Sequence, residues 1–150
     1  MTSVYGYVQA NDYTYKHPEI KKEWVPSQGS IADILADHPF MNIIHQAGYE
    51  LMFGTNENFF TVFVPNIVPQ MDLTNARDIV RYSTLPTKAD MYVISQKTFV
   101  VPMLTGNRIR VTKSNNKLFL NNSRVIRPNV IATNGIIHFI DVPLEPPFSS

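Results

Sequence analysis

Apolar residues recur first at helical spacing and later at strand spacing. Ile31, Ile34 and Leu35 stand at i, i+3 and i+4, one apolar face of a short helix. Ser30-Ile31-Ala32-Asp33 reads as a capping box with Asp in its last place. A second helix carries Phe40, Ile43, Ile44 and Ala47, with Pro39 suited to its first turn and Gly48 to its end. Residues 59–64 form a β-rich run stopped by Pro65. A third helix is expected with Thr74 as cap, with Ala76, Ile79, Val80 and Ser83 facing inward and Pro86 closing it. From Arg108 the period falls to two: Ile109 and Val111 point inward, Arg108 and Arg110 outward. Residues 118–120, 124–126 and 135–140 continue as antiparallel strands. Ser114-Asn115-Asn116 and Asn121-Asn122 serve as turns, because asparagine tolerates the left-handed conformation. Helices gather early and strands late, so the fold class is α+β.

Residues 1–28 stand apart. Tyr5, Tyr7, Tyr13 and Tyr15 alternate with small or polar residues, while His17-Pro18 and Val25-Pro26 break any regular element. An extended arm is expected here. It either lies over its own domain or docks on a neighbouring chain, with the tyrosines and Trp24 as amphipathic anchors. The expected organisation is this arm, one domain over 29–147 and a tail over 148–150, since 150 residues suit a single domain. Cysteine is absent, which excludes a disulfide framework and a thiolate metal site and favours a reducing compartment. The first ten residues have neither the cationic start nor the apolar run of a signal peptide, and no stretch reaches the ~20 apolar residues of a membrane span.

The net charge of +1 conceals a segregation. Residues 1–90 hold ten acidic and six basic side chains, whereas 91–140 hold seven basic ones and no acid. Six of the seven, Arg108, Arg110, Lys113, Lys117, Arg124 and Arg127, form a candidate basic patch. As a binding site it would suit an acidic protein, a sulfated glycan or an anionic membrane surface; otherwise it is a solvated face. Nucleic acid is not expected, because exposed aromatics are few along this run. Asn121-Asn122-Ser123 is also a glycosylation sequon on an expected hairpin tip, a weak signal in a chain rich in asparagine.

Three segments carry a resemblance that covers about residues 28 to 147. Thr61-Val62-Phe63-Val64-Pro65-Asn66 resembles the first signature of the fasciclin-like domain family, and residues 132–141, ATNGIIHFID, resemble its second almost residue for residue. Asp78-Ile79-Val80-Arg81-Tyr82-Ser83 occupies the place of the family's Tyr-His segment, with Ser83 in place of His. The resemblance implies a β-wedge of two short sheets with a small helical bundle, no cofactor and no catalysis. It also implies extracellular adhesion or matrix contact through integrins, glycans or further copies. Asn129 and Val130 stand where integrin-binding members carry an acidic Asp-Ile pair, and an amide cannot supply a carboxylate to an integrin's metal. That route is therefore not expected.

Read as residues alone, the second signature needs no site. Asn134-Gly135 signals a turn, and His138 shares a face with Ile136 and Ile140, the setting of a hydrogen-bonded structural histidine. His17, His38, His45 and His138 show no paired ligand spacing, and neither a nucleophile elbow nor a glycine-rich phosphate loop is present. Two readings follow. One is a non-catalytic adhesion or interaction module, with other proteins or copies of itself as partners. The other is a component of a large assembly, such as a minor capsid protein, built on the same fold inside a cell or virion.

Overall fold

The computed structural model describes residues 29–70, 73–104 and 106–146. The tyrosines and Trp24 of the arm, the arm itself and the proposed tail lie outside the described residues. Helix α1 (Ile31–Ile34) opens with the expected capping box: Ser30 Oγ accepts from Asp33 N–H, and Asp33 returns a bond to Ser30 N–H. Helix α2 (Phe40–Ala47) ends at Gly48, whose φ of 83° is the left-handed conformation that glycine adopts without strain. The ring of His38 accepts from Phe40 N–H, so the first turn gains a side-chain acceptor that Pro39 cannot supply.

Strand β1 (Phe60–Pro65) includes Pro65 as its last residue rather than stopping before it. Helix α3 (Ala76–Tyr82) follows a 3-10 turn at Leu73–Asn75, so it starts later than a cap at Thr74 implies. It ends before Pro86 is reached. The Ser83 and Thr84 hydroxyls donate back to the Ile79 and Val80 carbonyls, and Thr84–Leu85 forms the short strand β2 against β1. Helix α4 (Met91–Ser95), capped by Asp90, and strand β3 (Phe99–Val100) were not expected from the sequence.

The remaining strands are β4 (Ile109–Ser114), β5 (Lys117–Leu120), β6 (Ser123–Ala132) and β7 (Gly135–Ile140). Asn115 and Asn116 both have positive φ in the β4–β5 turn, as does Asn121 in the β5–β6 turn. The sheet order is β2-β1-β7-β6-β5-β4-β3. The two expected sheets are thus joined, because β6 is long enough to belong to both: its start pairs with β5 and the rest with β7. Register shifts between Val125 and Val130 let the strand continue through Pro128 and Asn129, where the sequence pattern stops at residue 126. β7 is antiparallel to β6 but parallel to β1, so the sheet is mixed.

The central pair β1 and β7 is buried on both faces, which explains their unbroken apolar runs. One face (Phe60, Val62, Val64, Ile137, Phe139) packs on α1, α2 and α3. The other (Phe63, Ile140) meets α4 and the inner residues Ile109, Val111, Leu118 and Leu120 of β4–β5. That second core is the inside of the wedge. The outer side of β4–β5 is left to solvent.

Candidate functional site

The two signatures hold the fold together. Asn134 is fully buried; its Oδ1 accepts from Ile31 N–H at 2.8 Å, and its Nδ2 donates to the Phe53 and Thr55 carbonyls at 2.8 and 2.7 Å. One amide thereby ties α1, the 3-10 turn at Met52–Gly54 and the β6–β7 hairpin. Gly135 is the first residue of β7 rather than a turn residue, and a Cβ there would overlap the Phe60 carbonyl oxygen. The Thr61 hydroxyl donates to the Thr87 carbonyl and accepts from Ala89 N–H. His138 is the expected structural histidine. Its Nδ1 accepts from Asn129 N–H at 2.9 Å and its Nε2 donates to the Ala89 carbonyl at 2.9 Å, while the ring stacks on Phe63. Burial pushes its pKa down to about 4, opposed in part by the bond to Ala89, so the ring is neutral. Asn129 has φ of 63° and its Oδ1 accepts from Met91 N–H, a role in the fold at the place of the family's acidic pair. Ser83, where the family has His, is buried and bonded to the Ile79 carbonyl.

The basic patch is divided by the sheet. Burial alternates over residues 109–112 of β4 and along β5, and the register sets Thr112 beside Phe119, Phe119 beside Arg124 and Arg110 beside Phe99. Arg108, Arg110, Lys117 and Arg124 accordingly belong to the outer face. Lys113 sits beside Leu118, on the opposite side of the hairpin. Arg127 lies past the first register shift of β6, with its guanidinium 5.7 Å from the Phe139 ring centre.

Arg108 and Arg110 line a cleft of about 910 Å³ bounded by the outer residues of β4–β5 and the 142–145 segment. The Arg108 guanidinium carbon stands 3.9 Å from the Phe99 ring centre, a cation–π contact that holds the side chain flat. Asn121 N–H donates to the Arg110 carbonyl, and Asn121 Oδ1 accepts from Arg110 N–H. The Asn121 Nδ2, the atom a glycan would modify, donates to the Tyr82 hydroxyl at 3.0 Å, and that hydroxyl donates to the Arg108 carbonyl at 3.2 Å. Tyr82, Asn121 and Phe99 therefore position the arginines. The sequence pattern singled out Asn121 as a turn residue and a sequon, not as a partner of the arginines, and passed over Phe99. Its one signal was the apolar run Phe99-Val100-Val101 just before the basic residues.

Glu145 is the acid that lines this cleft, and no histidine does. Two arginines beside a single carboxylate give the cleft the chemistry to hold an anion. Among the described residues no group of three His, Asp or Glu is placed to hold a metal ion. No helix among them is long and apolar enough to cross a membrane.

A family model described as the fasciclin domain matches residues 38–146. Among solved structures, the chain is similar to a FAS1 domain pair from the insect cell adhesion molecule fasciclin I, with 19% identity and a TM-score of 0.62. The match covers 81% of this chain and 52% of the other, so this chain spans about half the length of that relative.

Proposed function

This chain belongs to the fasciclin domain family, and from that premise we propose that it is a non-catalytic interaction module whose outer sheet face holds an acidic partner protein. Fasciclin domains generally serve cell adhesion and protein interaction and are generally not catalysts. The observation that carries the reading is the pair Arg108 and Arg110, side by side on the outer face. Neither guanidinium has a carboxylate within 4.0 Å among the described residues. Arg108, Arg110, Lys117 and Arg124 lie on that face, in a stretch from 91 to 140 that holds no acid, and give it a positive field. A fold that invests its signature residues in internal bonds leaves contact with partners to a surface of this kind. The alternative, a structural component of a large assembly, drew on the tyrosine arm, which lies outside the described residues.

Cross-linking of the full chain in its native setting tests the reading, repeated with Arg108→Glu/Arg110→Glu. Cross-links to a protein neighbour through Lys117 should disappear in the variant. Contacts that survive the charge reversal would remove the face from the proposal, and failure to recover any protein neighbour would overturn the module itself.

A further inference from the structure

We propose that the cleft beside Arg108 and Arg110 seats an extended acidic segment of the partner, one that sets a carboxylate next to an apolar side chain. The proposal rests on the interaction-module reading and names the chemistry of its ligand.

A second cavity of about 560 Å³ shares Arg108, Arg110 and Asn121 with the larger one. Each alone is of small-molecule size, and two that adjoin at the same arginines suit a run of several residues. Stacking on Phe99 occupies one face of the Arg108 guanidinium and leaves its N–H edges for a carboxylate, which the planar fork can grip by two parallel bonds. The Asn121 bonds fix the backbone that carries Arg110, so no loop has to order before that side chain can meet the ligand. Apolar surface stands on both sides: Phe99 is 41% exposed and Val142 47%, and Phe119 lines the larger cavity. Glu145 in that same cavity disfavours a second carboxylate there and accepts a cation, which gives the bound segment a direction. A polyanion of uniform charge has no use for Glu145 or for the apolar walls. An acidic peptide uses all three features.

Random heptapeptides displayed on phage, selected against the immobilised full chain, provide the test. Enriched sequences should place Asp or Glu beside an aromatic or branched residue. In fluorescence anisotropy the best peptide should lose at least tenfold in affinity with Arg108→Glu. With Arg108→Lys, which keeps the charge and loses the fork, it should lose several-fold. Lys88→Glu, the same charge change at a residue that does not line the cleft, should leave affinity unaltered, with far-UV circular dichroism confirming that each variant is folded. Enrichment without acids, equal losses with Lys88→Glu, or displacement by a short heparin fragment at lower concentration than by the peptide would each overturn the proposal. If these occur while native cross-links still vanish on charge reversal, the peptide seat fails and the interaction module stands.

Discussion

Acidification should destabilise this domain, and the largest contribution should come from His138. His138 is buried beside Phe63, Asn129 and Ala89, and its Nδ1 accepts a backbone N–H, so a proton on that nitrogen breaks a bond as well as burying a charge. The folded chain holds the pKa near 4, whereas the unfolded chain returns it to its ordinary value near 6.5. As pH falls the unfolded state takes up the proton first. The stability contributed by the neutral ring is therefore complete above about pH 6.5, falls between about 6.5 and 4, and levels off below. A gap of that size corresponds to about 3 kcal/mol, a large part of the total stability of a domain this size. Urea unfolding followed by far-UV circular dichroism from pH 8 to pH 4 measures the slope, with His138→Gln as the reference. The variant should be less stable at pH 7.5, and its deficit should shrink by about 3 kcal/mol as pH reaches 4. Other titrating groups are common to both chains and cancel. Parallel stability curves would refute the assignment of the acid sensitivity to His138.

Other outcomes follow from the same bonds. Asn134→Ala removes three hydrogen bonds and leaves buried backbone groups without partners; it should cost about 3–5 kcal/mol in urea unfolding, and a loss below about 1 kcal/mol would contradict the tie between α1 and the hairpin. Gly135→Ala drives a methyl into the Phe60 carbonyl and should cost on the order of 3 kcal/mol, read as a lowered Tm. If the chain is passed through a secretory pathway, intact mass of the folded product should show Asn121 without a glycan, because its Nδ2 is bonded to Tyr82. Asn121→Ala should then cost about 1–2 kcal/mol.

What could be read from the sequence is what short-range forces decide. The capping box at Ser30 and Asp33 and the left-handed Gly48 close hydrogen bonds within a few residues of themselves, so their outcome does not wait on the rest of the chain. The same holds for the asparagine turns at 115–116 and 121. The role of His138 was legible for a related reason: period two placed a polar ring among isoleucines, and a ring so placed must find buried partners. Those partners, Ala89 and Asn129, lie 49 and 9 residues away, and only the folded chain names them.

The sequence by itself thus determined the α+β class, the early helices, the hairpins and the excess of positive charge in the last third. Tertiary structure alone decided the parallel pairing of β1 with β7, the strand that runs on through Pro128, and the two-residue strands β2 and β3, which are too short to exist without a neighbour to pair with. It also sorted the six cations, bringing Arg108 and Arg110 to one cleft with Asn121 and Glu145 while turning Lys113 to the opposite side. Charge is a property of residues, but a binding face is a property of register, and register is set by contacts between segments far apart in the chain.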